Sequence, residues 1–150
     1  MVVYIVDGAR GKVLLILKKT GLGKGKVNAP GGRIEPGESP LQAAIRECIE
    51  EVSITPLAPE KRAELRFQFA SGYSLYVEAF FADAWEGEAR ASAEADPFWR
   101  ELGDIPWDQM WEDDRHWLPQ ALAGKKLRGC YVFDGDKMLS QETAEVVGFD

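Results

Sequence analysis

Three glutamates, Glu47, Glu50 and Glu51, lie close enough in the sequence to bind one divalent cation together. At about 100° per residue they fall on one side of a helix, and Glu47 and Glu51 are like charges one turn apart. They lie toward the C-terminal end of that helix, where the backbone dipole favours cations and disfavours acids. Carboxylates together with substrate phosphates suit Mg²⁺ or Mn²⁺. The cluster therefore indicates a divalent-cation site, with an exposed and solvated acidic face as the alternative.

The sequence around these glutamates predicts a helix over Leu41–Val52. Ser39 is a favourable N-cap, Pro40 suits the first helical position, and Gln42 completes a capping box. Apolar residues recur at helical spacing and are expected to face the core: Leu41, Ala44, Ile45, Cys48, Ile49 and Val52. The three glutamates fall on another side of the same helix.

The remaining residues predict a single α/β domain that spans residues 1–150. Strands or mixed segments are predicted at Val2–Val6, Lys12–Lys19, Glu64–Ala70, Ser74–Phe81, Leu127–Phe133 and Met138–Val147. A second helix is predicted at Asp113–Leu122, with loops at Gly21–Gly37 and Glu86–Ala95. Strands interleaved with two helices favour a mixed α/β layer architecture.

The charge balance argues against a nucleic-acid clamp. The chain has 18 Lys and Arg against 25 Asp and Glu, a net charge of −7. No broad basic face for duplex DNA or RNA is expected from such a composition. A polyanionic ligand would need positive charge from another source, which again favours a divalent cation.

Nothing in the sequence predicts a membrane or secreted protein. The longest aliphatic run, Val13–Leu17, is far shorter than the ~20 residues of a membrane span. The segment Met1–Val6 lacks the basic start of a secretory signal. Cys48 and Cys130 have no metal-binding spacing and are interpreted as two buried thiols in a reducing compartment. We therefore expect a cytoplasmic protein with no membrane partner.

Read back from the predicted helix, the segment from Gly32 to Ile54 resembles the Nudix box. The pattern is glycine, five residues, glutamate, seven residues, then Arg-Glu-apolar-x-Glu-Glu. Six fixed positions of that pattern are matched here by Gly32, Glu38, Arg46, Glu47, Glu50 and Glu51. Cys48 occupies an apolar position of the box as a small hydrophobe. Ser53 replaces a glycine, at a site that commonly adopts the left-handed conformation, so a small loss of stability is expected there.

The resemblance implies the Nudix fold, a mixed β-sheet sandwiched between α-helices with a loop–helix–loop catalytic motif. It also implies hydrolysis of a nucleoside diphosphate linked to another group, with Mg²⁺ or Mn²⁺ as cofactor. The metal would be held by three glutamates, a glycine carbonyl and an additional carboxylate: Glu47, Glu50, Glu51, Gly31 or Gly32, and Glu94. By the same resemblance, Arg46 and Glu38 orient the glutamate cluster.

Beyond the box, the chain resembles the MutT-homologue class that hydrolyses oxidised purine nucleoside triphosphates. The resemblance is carried by Lys18–Gly23, by Asn28 ahead of Gly31-Gly32, and by Ile105–Asp114. It implies that Trp111 stacks on the purine, that Asp113, Asp114 and Asn28 read its edge, and that Lys18 helps to hold the nucleotide. Leu22 and Val27 replace aromatic residues of that class, so a looser base preference is expected.

Alternatives remain open at these positions. Asp113 or Asp114 could simply cap the following helix, and tryptophans at such spacing often belong to the core. Glu94 lies in a variable acidic stretch. The leading hypothesis is a monomeric, Mg²⁺-dependent enzyme that cleaves oxidised purine nucleoside triphosphates to the monophosphate and pyrophosphate. A Nudix hydrolase of ADP-ribose, dinucleoside polyphosphates or capped RNA is the second hypothesis, and a catalytically silent nucleotide-binding module is the third.

Overall fold

The computed structural model of the chain describes residues 1–149, which form ten β-strands and two α-helices. The strands are β1 Val2–Asp7, β2 Lys12–Lys18, β3 Val27–Asn28, β4 Thr55–Leu57, β5 Glu60–Phe69, β6 Ser74–Ala82, β7 Ala84–Glu86, β8 Ala95–Glu101, β9 Lys126–Asp134 and β10 Lys137–Val146. The helices are α1 Pro40–Val52 and α2 Asp114–Leu122. No helix among the described residues is long and apolar enough to cross a membrane.

Eight of the strands form one mixed sheet. Its order is β10-β9-β5-β6-β1-β2-β3, with β8 paired to β2. The pairs β1–β6 and β5–β9 are parallel, and the other pairs of this sheet are antiparallel. The β1–β2 hairpin pairs only next to its turn, at Val6–Val13 and Asp7–Lys12. Beyond that point β1 continues along β6 while β2 continues along β3 and β8, so the two strands separate and leave space between them.

The two helices cover opposite faces of the sheet. In β1, Tyr4 packs in a cluster with α2, whereas its neighbours Val3 and Ile5 pack in a second cluster with α1. This alternation follows from the two-residue period of a strand, and it gives each face an apolar layer. The predicted fold class, a mixed sheet between helices, is therefore confirmed.

Helix α1 has the predicted capping box, and its buried face matches the prediction in part, since Ala44, Cys48 and Val52 are buried as expected. The Ser39 hydroxyl accepts from the Gln42 N–H at 3.1 Å, and the Gln42 side chain accepts from the Ser39 N–H at 2.9 Å. Leu41 and Ile49, which we expected in the core, are 42% and 44% exposed, whereas Glu51 is only 7% exposed. The buried face centres on small residues, including Ala44, against the sheet, and the helix is turned so that Glu51 points inward.

Several other predictions need correction. The loop predicted at Gly21–Gly37 contains the short strand β3, and the strand β8 that begins at Ala95 was not predicted. Pro97 disfavours a central strand, but β8 pairs only with β2 among the described strands and tolerates a proline there. Cys48 is buried, and burial raises the pKa of its thiol to about 12. Cys130 is exposed, so the prediction of two buried thiols is wrong for it.

Ser53 terminates α1 in the left-handed conformation, with φ 62° and ψ 27°, and its N–H donates to the Ile49 carbonyl at 3.0 Å. A β-carbon is unfavourable in this conformation. We expect Ser53→Gly to raise the free energy of unfolding by about 0.5–1 kcal/mol, after the entropy of glycine is included. Thermal unfolding of the variant should shift upward by about 1–4 °C. Ser53→Ala keeps the β-carbon and should give no such gain; an equal gain from both variants would exclude backbone strain as the cause.

Candidate active site

A cavity of about 540 Å³ opens where β1 and β2 separate. Its wall is shared by β1, β2, β3, β5, β6, α1 and the segment that leads into α2. Ten of the residues predicted to bind metal or substrate line it: Lys18, Asn28, Gly31, Gly32, Glu47, Glu51, Glu94, Trp111, Asp113 and Asp114. The cavity therefore brings together the C-terminal half of α1 and the start of α2, which are distant in the sequence.

One part of the cavity is acidic. Glu47, Glu51 and Glu94 each place a carboxylate oxygen within 4.8 Å of the other two. Burial raises the pKa of Glu51 to about 7; an N–H from Gly31, 3.3 Å from its Oε2, lowers that pKa, and the charges of Glu47 and Glu94 raise it further. Burial likewise raises the pKa of Glu47. Three crowded oxygen donors, two of them desolvated, form a donor set that suits a hard divalent cation.

The glycines beside this cluster are required by close packing. A β-carbon on Gly32 would lie 2.5 Å from the Glu47 carboxyl carbon and 2.6 Å from its Oε1. A β-carbon on Gly31 would collide with the Met1 carbonyl oxygen, which also accepts from the Gly32 N–H at 3.0 Å. Any side chain at these two positions would displace either a carboxylate of the cluster or β1.

Arg46 ties the loop before α1 to the helix. Its guanidinium donates to both oxygens of Glu38, at 2.7 Å and 2.9 Å, and to Glu47 at 2.9 Å. The hydrogen bonds from Arg46 hold the pKa of Glu38 at about 2. Glu50 also accepts from Arg46, at 3.3 Å, and its side chain is 59% exposed. Glu38, Arg46 and Glu50 thus form an ion-pair network beside the three-carboxylate cluster, and the structure does not bring Glu50 into that cluster.

Another part of the cavity carries a pair of buried aspartates. Asp113 is 2% and Asp114 is 5% exposed. The Trp117 indole N–H donates to Asp113 Oδ2 at 2.9 Å. Asp113 Oδ1 and Asp114 Oδ2 have no hydrogen-bond partner among the described residues. Asp113 is the N-cap residue of α2, but its side chain makes no capping hydrogen bond, so capping does not explain why these carboxylates are buried.

The aspartate pair has strongly perturbed acidity. Burial raises the pKa of Asp113 to about 6. Burial also raises the pKa of Asp114, and the charge of Asp113 raises it further. Near neutral pH the pair therefore favours holding one proton, which leaves one group able to donate a hydrogen bond and the other able to accept.

Trp111 forms an aromatic wall beside the aspartates. Its ring meets Phe133 and Phe69 edge-on, with centroids 5.4 Å and 6.1 Å away. The Lys26 ammonium lies 5.1 Å from the ring centroid, and Gly23 approaches so closely that a β-carbon there would lie 2.9 Å from the indole nitrogen. Asn28 also lines the cavity, and its side-chain oxygen accepts from the Ala29 N–H at 2.8 Å.

Two contributions of the cavity wall were missed at the level of sequence. Trp117, one of the tryptophans that could have belonged simply to the core, holds Asp113 in place, and the i,i+4 spacing of the two residues is a signal that could have indicated the contact. Tyr4 also lines the cavity. Its position in an apolar strand gave no indication of this, because inward-facing strand residues usually serve the core.

With the geometry established, comparison with known proteins defines the class. Residues 1–121 match the NUDIX domain family, and the chain belongs to that family of hydrolases. It is 38% identical over 138 residues to the oxidized purine nucleoside triphosphate hydrolase of Danio rerio, covering 91% of this chain and 88% of the relative. The protein of the same name from Mus musculus is 36% identical over 140 residues, with 92% and 90% covered. The MutT protein of Bacillus halodurans has a similar crystal structure, with a TM-score of 0.82, 28% identity, and 95% and 94% covered.

The raised pKa values of these carboxyls predict a pH-dependent stability. Glu51, with a pKa of about 7, Asp113, with a pKa of about 6, and Asp114 all bind protons more tightly folded than unfolded. Their stabilising contribution is therefore full below about pH 4 and is lost as the pH rises to about 7. We expect the unfolding midpoint in metal-free buffer to fall by a few degrees between pH 5 and pH 7.5, as measured by calorimetry.

Two variants identify which carboxyls cause the unfolding midpoint to fall with pH. In Glu51→Gln and in Asp114→Asn the midpoint should fall less over the same pH range, because an amide does not titrate. Glu142→Gln, at an exposed position of β10, should leave this fall unchanged. A midpoint that stays level or rises over this range in the native protein would contradict the assignment.

Proposed function

We propose that this Nudix hydrolase cleaves oxidised purine nucleoside triphosphates to the monophosphate and pyrophosphate, and so removes oxidised nucleotides from the nucleotide pool. The carrying observation is that a buried aspartate pair and a carboxylate cluster line the same cavity. The first can read a base and the second can hold a cation against phosphates. Support also comes from the two vertebrate relatives, whose names state this substrate class and which match almost the whole chain.

Mg²⁺, with Mn²⁺ as a substitute, is the cofactor that the donor set fits. Glu47, Glu51 and Glu94 would hold it, with a carbonyl of Gly31 or Gly32, of which the Gly32 carbonyl accepts from the Met1 amino group at 2.9 Å in the structure. When bound, a cation of this kind neutralises phosphate charge and activates water for attack. Glu50 remains a proposed further ligand, which would exchange its contact with Arg46 for one with the cation.

The protein groups around the cation have separate tasks. Arg46 keeps Glu47 oriented and fixes the loop before α1 through Glu38. The carboxylates would therefore keep their positions when they are ionised and repel one another. Glu51, with its pKa raised to about 7 by burial, is suited to take a proton at neutral pH until a cation lowers that pKa. Lys18 lines the cavity and would hold a nucleotide phosphate.

The base is recognised at the aspartate pair. Stacking on Trp111 contributes about 1–3 kcal/mol and discriminates little between bases. Discrimination then comes from Asp113 and Asp114, which can accept from base N–H groups, and Asn28 supplies an amide at the same cavity. Oxidised purines in the lactam form carry additional N–H donors, so they match this acceptor-rich pocket better than the unmodified bases.

Replacement of Glu51 by Gln tests the cation site. The variant keeps the size of the side chain and removes one charge, so we expect turnover to fall by at least ~10²-fold with the fold intact. The reaction is followed by release of pyrophosphate from 8-oxo-2′-deoxyguanosine triphosphate over a Mg²⁺ titration, with circular dichroism as the check of folding. Glu142→Gln is the matched control. Full activity of Glu51→Gln would refute the metal assignment, and Mg²⁺-independent turnover in the native protein would refute the cofactor.

Replacement of Asp114 by Asn tests base recognition. An amide can neither share the proton of the pair nor carry its charge, so kcat/KM for the oxidised purine should fall by about 10–100-fold. The loss for an unmodified purine triphosphate should be several-fold smaller, so the ratio of kcat/KM for the oxidised purine to kcat/KM for the unmodified one should decrease. Asp108→Asn, whose carboxylate is fully exposed on the approach to α2, should change neither value. An equal loss for both substrates would contradict a role in base selection.

A substrate panel separates this proposal from the other hypotheses. ADP-ribose and dinucleoside polyphosphates release products other than pyrophosphate, so the products identify the reaction. A faster reaction with either compound than with any purine triphosphate would overturn the proposed substrate class. Binding of nucleotides without any hydrolysis would indicate a silent binding module instead.

A further inference from the structure

Tyr4 carries a buried hydroxyl for which the fold has no use. The residue is 0% exposed in the middle of β1, and it lines the cavity. Its hydroxyl has no hydrogen-bond partner among the described residues. Buried hydroxyl groups are nearly always paired, because an unpaired one destabilises the folded state. An unpaired hydroxyl at a cavity wall therefore points to a ligand.

The ring of Tyr4 is held rigidly. It stacks on Phe81, with centroids 5.1 Å apart and planes 15° apart, and it meets Trp117 edge-on at 5.9 Å. Trp117 in turn donates to Asp113. The phenol, the indole and the carboxylate thus form one packed unit, and the hydroxyl has a fixed place relative to the aspartates.

Three unpaired polar atoms belong to residues that line this cavity. Besides the Tyr4 hydroxyl they are Asp113 Oδ1 and Asp114 Oδ2. Burial raises the pKa of Tyr4, and the nearby charges of Asp114 and Asp113 raise it further, so the phenol stays neutral and can donate. Apolar side chains of the same core cluster as Tyr4 also line the cavity, among them Leu65, Phe67 and Val77. The cavity therefore offers carboxylate oxygens that can accept a hydrogen bond and a phenol that can donate one, beside apolar side chains.

We propose that the Tyr4 hydroxyl is a third base-recognition group, which donates to a carbonyl oxygen of the bound purine while the aspartates accept from its N–H groups. This rests on the proposed function, because it assumes that the base enters this part of the cavity. A lactam places an N–H directly next to a C=O, so a phenol donor together with a carboxylate acceptor matches that edge. Tyr4 is then a specificity residue that touches the substrate and takes no part in the hydrolysis itself.

Replacement of Tyr4 by Phe removes only the oxygen. We expect the unliganded variant to unfold about 2–4 °C higher than the native protein, because an unsatisfied hydroxyl is gone. The same variant should bind the monophosphate of 8-oxo-2′-deoxyguanosine about tenfold more weakly, as measured by calorimetry in Mg²⁺ buffer. Its kcat/KM for the triphosphate should fall by a similar factor, mainly through KM, and kcat/KM for thymidine triphosphate should stay the same. The opposite signs for stability and affinity are the signature of a group kept for a ligand.

Tyr76→Phe is the matched control. Its hydroxyl donates to Glu78 at 3.2 Å, and neither residue lines the cavity. Loss of that oxygen should therefore leave nucleotide affinity unchanged. Unchanged affinity in Tyr4→Phe would overturn the assignment. A parallel loss for thymidine triphosphate would also overturn it, since the residue would then act on the fold or the cation site.

The native protein tests the proposed function separately. If it shows no preference for the oxidised purine, that function fails in an experiment that does not involve Tyr4. The variant is then compared with the native protein on whichever purine triphosphate is cleaved fastest. A tenfold rise of KM supports the role of Tyr4 there, and an unchanged KM excludes it.

Discussion

The structure depends on the removal of carboxylates from water without an ion pair to a protein cation among the described residues. Glu51, Asp113 and Asp114 are all under a tenth exposed in a chain of net charge −7. Burial of an ionised carboxylate is unfavourable, so each group either holds a proton or requires a cation or a hydrogen-bond donor from outside. The unliganded protein therefore gives up stability at these groups, and the proposed ligand, a nucleotide with a metal, would supply both the cation and the N–H donors.

The sheet makes this arrangement possible by separating two strands of one hairpin. If β1 and β2 stayed paired beyond Val13, their side chains would close the space that the cavity occupies. Since β1 instead follows β6 and β2 follows β3 and β8, residues from both strands face a common opening. The helices then act from two directions: α1 brings the glutamates and the segment before α2 brings Trp111. Rigid strands thus position groups that come from loops and helix ends.

The sequence predicted the box, the helix with its caps and the two-helix mixed sheet, because each depends on local spacing. It could not predict which part of the apolar face of α1 is buried, because the exposed residues Leu41 and Ile49 fit the helical apolar spacing equally well. Strand β8 was missed because Pro97 and its acidic neighbours resemble a loop, and the partner β2 lies far away in the sequence. The metal and substrate roles of the cavity residues stay predictions. Tyr4 was invisible at that level because a tyrosine in an apolar strand is ordinarily core, and its unpaired hydroxyl appears only in three dimensions.

The lysine at Trp111 links two distant turns. Besides lying over the indole, Lys26 forms an ion pair with Asp136 at 3.3 Å, and the Asp136 side chain is 73% exposed. Counterions screen an exposed ion pair of this kind, while they affect the contact between the half-buried Lys26 and Trp111 less. The tie between Lys26 and the turn that joins β9 to β10 therefore weakens as ionic strength increases, while the contact of Lys26 with the indole persists. Salt therefore acts on the lysine that covers Trp111 from a turn that lies outside the cavity lining.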